Sequence, residues 1–223
     1  RKDVREIRQV IVANVDLVVF VFACAEPDFH ARMLDRFIVG AEAQHLPTLI
    51  CATKTDLVGL PQAKELFGDY ERLGYRVIYT CARTGEGIEE LRQALTGRLS
   101  VLTGKSGTGK SSLLNALLMD DIVLPVDADE TTCIPVEIRF GLNDGEIIIF
   151  FKGQTVPLQT YDYKILDEYV NNANNPGNEK QVSHVVIYKN NQLLAGGVVL
   201  VDLPGVGSMT PRNVETTMSY IER

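Results

Sequence analysis

The sequence predicts a three-layer α/β fold, a mostly parallel sheet covered by helices on both faces, with its phosphate-loop elements in circularly permuted order. Three observations predict it. Strand-like apolar runs alternate with amphipathic helix-like runs through the 223 residues, the pattern of strands joined by helical crossovers. Gly104-Lys105-Ser106-Gly107-Thr108-Gly109-Lys110-Ser111 is a full G-x-x-x-x-G-K-[ST] match set between such a strand and such a helix. A base-reading element, Thr53-Lys54-Thr55-Asp56, comes before that loop rather than after it.

Taken in order, residues 15–23 read as a buried strand, 32–44 as a helix and 48–52 as a strand ending at the base reader. A helix at 62–73, a strand at 76–80 and a helix at 87–95 follow, and the strand 99–103 enters the phosphate loop. Ser112 opens the core of the next helix, 112–118, and 119–133 shows little periodicity. Residues 134–140 and 146–151 predict a hairpin around Asn143-Asp144-Gly145. A helix at 161–172 precedes a polar loop, 171–178. Residues 182–189 and 194–202 predict a second hairpin across Asn190-Asn191, and 214–223 starts a helix that the sequence does not finish.

Composition bounds the function. Residues 1–118 carry 15 Lys/Arg against 14 Asp/Glu, net +1, and residues 119–223 carry 7 against 15, net −8, which together make the −7 of the chain. An acidic chain repels RNA and anionic lipid unless a local basic patch intervenes. Arg1, Lys2, Arg5 and Arg8 form one such cluster, read as a solvated helix face or a residual RNA contact. No apolar run reaches the length of a membrane span. Cys24, Cys51, Cys81 and Cys133 form no C-x-x-C pair, which reads as reduced packing thiols in a cytoplasmic protein rather than a zinc site. His30, His45 and His184 stand apart and read as surface or core residues.

Each motif has a physical task. Backbone N–H groups of Gly104, Lys105, Ser106, Gly107, Thr108 and Gly109 would cradle phosphates, aided by the positive end of the following helix, where Ser111 and Ser112 lie. Lys110 would reach the β- and γ-phosphates and the Ser111 hydroxyl would ligate Mg²⁺. Asp202 heads Asp202-Leu203-Pro204-Gly205 after an apolar run. Its carboxylate would hold Mg²⁺, and the Gly205 N–H would bond the γ-phosphate. Asp56 can accept from the N1–H and exocyclic amine of guanine, donors that adenine does not offer there. The Lys54 stem would pack along the base, and Thr53 stands where Asn is commoner. Cys81-Ala82-Arg83 would place a backbone N–H, from Ala82, on guanine O6. Asp129-Glu130-Thr131-Thr132 offers two switch threonines, of which Thr132 is preferred as the Mg²⁺ ligand and γ-phosphate sensor.

On these residues, the first part of the chain resembles the circularly permuted, ribosome-small-subunit-dependent GTPases of 30S assembly. The matching stretches include Arg8-Gln9-Val10-Ile11-Val12-Ala13-Asn14-Val15-Asp16, Thr84-Gly85-Glu86-Gly87-Ile88 and the phosphate loop with Ser112-Leu113-Leu114-Asn115-Ala116-Leu117. Residues 119–223 are similar instead to the G domain of bacterial dynamin-like GTPases, through the stretch from Leu124 to Gly141 and through Val201-Asp202-Leu203-Pro204-Gly205-Val206-Gly207-Ser208. The two resemblances meet near Met119, a junction that fits either a natural hybrid or two joined coding regions. Together they imply one P-loop NTPase G domain over residues 1–223. They imply GTP as substrate, Mg²⁺ as cofactor, and Lys110, Thr132 and Gly205 at the hydrolytic step. The implied partner is the small ribosomal subunit, with a membrane or self-assembly partner, or a non-hydrolysing interaction module, as alternatives. Val206 occupies the place of the usual water-orienting Gln, which implies slow turnover without a partner.

Overall fold

In a computed structural model, which describes residues 15–119, 134–171 and 173–202, nine strands form one sheet in the order β3-β2-β1-β4-β9-β5-β8-β6-β7. The strands are β1 (Leu17–Ala23), β2 (Thr48–Thr53), β3 (Val77–Tyr79), β4 (Leu99–Thr103), β5 (Val136–Phe140), β6 (Ile147–Phe151), β7 (Leu158–Thr160), β8 (Val182–Lys189) and β9 (Val199–Asp202). Among the described residues six α-helices accompany them: α1 (Ala31–Ala43), α2 (Leu60–Arg72), α3 (Ile88–Leu95), α4 (Lys110–Leu118), α5 (Lys164–Tyr169) and α6 (Gln192–Ala195).

Chain direction sets the layers. β1, β2 and β3 step one way across the sheet in parallel register, and the chain then returns to β4 on the other side of β1. Parallel crossovers keep one handedness, so the reversal of direction changes the face on which the connecting helix lies. Accordingly Val18, Phe20 and Phe22 of β1 pack with Leu34, Phe37 and Ile38 of α1 and with Phe67 of α2. Leu17, Val19 and Val21 pack on the opposite face with Leu91 of α3 and Leu114 of α4. All seven residues of β1 are buried, as a central parallel strand requires. The helix stripes have the spacing that places them there: Leu34, Phe37, Ile38 and Ala41 lie on one side of α1. Free thiols at Cys24, Cys51 and Cys81 are buried in this core, and burial pushes Cys24 up to about 11 and Cys51 up to about 12. Cys133 lies outside the described residues.

β9 joins β4 in parallel, and β5 then adds to β9 antiparallel. Both expected hairpins are corrected here. β5 does not pair with β6: β8 lies between them, parallel to β5 and antiparallel to β6. The Asn143-Asp144-Gly145 turn wraps the end of β8 instead, since Asp144 Oδ1 accepts from Asn190 N–H (2.8 Å) and Gly145 N–H donates to Tyr188 O (2.9 Å). Asn190-Asn191 is no hairpin turn either. Asn191 Oδ1 accepts from Leu193 N–H (2.9 Å), capping α6, and its Nδ2 donates to Leu118 O (2.8 Å). The strand expected over 194–202 therefore begins only at Val199. The helix expected over 161–172 is shorter, because Asn175 Nδ2 donates to Tyr169 O (2.7 Å) and Asn174 Nδ2 to Asp167 O (3.0 Å), satisfying its last carbonyls from outside. β7, unexpected from sequence, forms the sheet edge on β6. The low-periodicity stretch 119–133 beyond Met119 and the helix expected over 214–223 lie outside the described residues, as does the Arg1, Lys2, Arg5 and Arg8 cluster. Among the described residues, no helix is long and apolar enough to cross a membrane.

Phe67 is fully buried, its ring 4.4 Å from that of Phe29 and edge-on to Tyr79. Phe67→Ala should cost about 3–5 kcal/mol in a urea titration, whereas Val39→Ala, on the exposed side of α1, should change stability by less than about 0.5 kcal/mol.

Candidate functional site

The reversal of strand order at β1 and β4 opens a crevice outside the carboxyl ends of the parallel strands, where ligands of such sheets bind. Four predicted elements arrive at that one end. The phosphate loop follows β4, the base reader follows β2, the Cys81 loop follows β3, and Asp202 ends β9.

Gly104 leaves β4 so close to β1 that a Cβ there would stand 2.1 Å from Val21 O, so only glycine fits. The loop then turns into α4, whose first residue is Lys110. Lys110 is only 7% exposed. Its Nζ donates to Gly104 O (3.1 Å) and Lys105 O (3.3 Å). Burial pushes the Lys110 ammonium below its ordinary value, while the Asp202 carboxylate pulls the other way. Asp202 is buried and paired in register with Leu102, two residues before Gly104. Asp202 thus lies within electrostatic reach of Lys110. Ser111 and Ser112 sit half-buried in the first turn of α4.

Thr53 ties the two halves of the site together. Its Oγ1 lies 2.6 Å from Thr108 O, to which it donates, and 3.3 Å from Phe22 O. The residue standing where Asn is commoner therefore reaches the phosphate loop with a shorter side chain. Lys54 adopts a left-handed conformation (φ 57°), its stem lies against Gly109, and its Nζ donates to Glu26 O. Asp56 projects from the next turn. Its Oδ1 accepts from Cys81 Sγ (3.1 Å), and its Oδ2 accepts from Arg83 Nη2 (2.7 Å) and Nε (3.3 Å). The Arg83 guanidinium and then the Cys81 thiol hold the Asp56 carboxyl below the usual carboxylate range.

The Cys81 loop is pinned by a bridge between Cys81 and Glu86 and by Gly87, where a Cβ would stand 2.0 Å from Tyr79 O. Thr53, Lys54, Asp56, Cys81, Ala82 and Ser112 line one cavity of about 280 Å³ that extends to Gly109 at the end of the phosphate loop. Thr131, Thr132 and Gly205 lie outside the described residues. Sequence reasoning assigned no role to Arg83 or to Glu26, which also line the cavity. Arg83 carried a usable signal, a cation two residues after Cys81 in a loop expected beside Asp56. Glu26 acts through its backbone carbonyl and carried none.

Comparison with known proteins places both halves. Residues 1–129 match the RsgA GTPase family model and residues 101–223 match that of the dynamin family. The small ribosomal subunit biogenesis GTPase RsgA of Agathobacter rectalis is 45% identical over 111 residues, covering 50% of this chain and 36% of the relative. That of Gemmatimonas aurantiaca is 51% identical over 109 residues, covering 49% and 36%. The crystal structure of YjeQ from Thermotoga maritima shares 40% identity with a TM-score of 0.46, covering 53% of this chain and 42% of that one. The chain spans little more than a third of the length of these curated relatives.

Thr53→Val deletes the donor to two buried carbonyls and should cost about 1–3 kcal/mol in chemical denaturation, with faster amide exchange over residues 104–110. Thr53→Asn, which keeps a donor, should stay near the parent. Acid titration should show Asp56 protonating below its ordinary 3.8. A depressed folded value stabilises above the unfolded value, and that contribution is lost as pH falls through the folded one.

Proposed function

The chain belongs to the RsgA GTPase family through residues 1–129 and to the dynamin family through residues 101–223, and from that premise we propose that it binds GTP with Mg²⁺ and hydrolyses it to GDP and phosphate. The observation that carries the proposal is the convergence of Thr53, Asp56, Lys110 and Asp202 at one end of the sheet, with Thr53 bonded to the phosphate loop. In this reading residues 1–223 make one G domain, cut and rejoined so that the base reader comes first.

Asp56 reads the guanine N1–H and exocyclic amine, Cys81 orients that carboxylate, and the Ala82 N–H meets O6. The Lys54 stem, held against Gly109, covers a face of the base. Lys110 exchanges its bonds to Gly104 O and Lys105 O for phosphate oxygens, with N–H groups of the loop completing the cradle. An ammonium so desolvated gains more from the phosphates than an exposed one would. Ser111, Asp202 and Thr132 supply hard oxygen donors suited to Mg²⁺, and the position of Asp202, buried at the loop and in electrostatic reach of Lys110, fits that role. Bound there, Mg²⁺ would neutralise charge on the β- and γ-phosphates. Gly205 senses the γ-phosphate through its N–H. The Val206 side chain offers no hydrogen-bonding group to the attacking water, so rapid turnover depends on a partner.

The name of the curated relatives supports the small ribosomal subunit as that partner, in the cytoplasm. The dynamin match of residues 101–223 supports a second reading, a membrane or self-assembly partner.

Lys110→Ala should abolish GDP and GTP binding in equilibrium titration. Asp56→Asn should move preference from guanine toward xanthine nucleotide, because the Asn amide can donate to the O2 that xanthine carries in place of the exocyclic amine. Phosphate release by the purified chain should be slow, on the order of 10⁻³ s⁻¹ or below. Stimulation by 30S subunits would favour the ribosomal reading and stimulation by lipid vesicles the dynamin reading. Turnover of tens per second without a partner would contradict the partner requirement.

A further inference from the structure

Asp56 has both carboxylate oxygens engaged by its own chain. Cys81 takes Oδ1 at 3.1 Å and Arg83 takes Oδ2 through two nitrogens, at 2.7 and 3.3 Å. A guanidinium presents two N–H donors side by side, in the manner of the N1–H and exocyclic amine edge of guanine. The two groups therefore compete for Oδ2 of one carboxylate in one cavity.

We propose that Arg83 competes with the guanine base for Asp56 and so sets the affinity of the site, guanidinium and base being alternative occupants of that carboxylate. The inference rests on the nucleotide-binding reading above and goes beyond it by making affinity for the base a difference between two partners.

The surroundings suit an exchangeable occupant. The Arg83 side chain is 76% exposed and that of Asp56 only 19%, so the cation can swing into water while the carboxylate stays in place. The backbone that carries Arg83 need not move. Gly85 N–H donates to Cys81 O (2.9 Å), and the Cys81 to Glu86 bridge closes the loop. Release then needs only side-chain rotations, which are fast beside nucleotide exchange. The cost of displacing Arg83 is shared by every base that takes its place at Asp56, so the competitor lowers affinity for guanine without sharpening the choice between bases.

The test is stopped-flow and equilibrium binding of GDP to the parent, Arg83→Ala and Arg83→Lys. Arg83→Ala should tighten GDP binding about 1.5- to fivefold, the worth of an exposed ion pair, through a faster association rate with dissociation unchanged. Arg83→Lys, a point charge without the fork, should fall between. In the Asp56→Asn background, where no carboxylate remains to compete for, adding Arg83→Ala should leave xanthosine diphosphate affinity unchanged. Unchanged GDP affinity in Arg83→Ala would remove the competition while leaving the nucleotide site intact. Weaker binding would also overturn it, by showing that Arg83 grips the bound base. A parent chain that binds no guanine nucleotide would end both this inference and the reading beneath it.

Discussion

Parallel pairing of β1 with β4 is the constraint from which the rest follows. Through it β1 and β4 run side by side, Leu17 opposite Ser100 and Phe20 opposite Thr103, and their ends open at the same edge of the sheet. Strand neighbours, not chain order, decide which loops meet. Cutting the chain elsewhere leaves β2, β1, β4 and β9 as neighbours, so Asp56, the phosphate loop and Asp202 still emerge together. A permuted order costs the site nothing as long as those pairings survive.

Within that frame, short polar contacts rather than apolar packing set the geometry. Thr53 holds the loop through Thr108 O, and Thr55 Oγ1 donates to Thr80 O (3.3 Å), tying the base reader to the end of β3. Lys110 is the exposed liability of such a design turned inward: a buried cation satisfied by two loop carbonyls and attracted by Asp202. A buried charge is tolerated only when it is hydrogen-bonded and paired, which also makes it responsive to an incoming polyanion. Arg83 shows the opposite arrangement, a solvent-facing cation on a shielded anion, and such a contact is cheap to exchange.

The central part of the fold was legible in the sequence, because runs such as Leu17 to Ala23 admit one reading once they are buried on both faces. The phosphate loop was legible because its glycines answer to steric demands that the backbone itself imposes, as at Gly104. The sheet beyond β9 was not. Turn residues announce that the chain bends, and Asn143-Asp144-Gly145 does bend it, but the edge of β5 is filled by β8 from forty residues further on. Asn190 and Asn191 mark a helix cap with the same residue types that mark a hairpin. In the site, the positions of Thr53, Lys54, Asp56 and Cys81 followed from strand ends, while the pairing of Arg83 with Asp56 had only a weaker cue, a cation two residues after Cys81, and the carbonyl contact of Glu26 had none.

One pocket shared by the two halves of the chain is the central claim, and a ¹⁵N-labelled chain titrated with GDP tests it most directly. Amides of residues 53–56, 81–83 and 104–111, together with that of Asp202, should shift along one binding curve with a single Kd. Shifts confined to the phosphate loop, or separate curves for the loop and the base reader, would contradict a common guanine-nucleotide site.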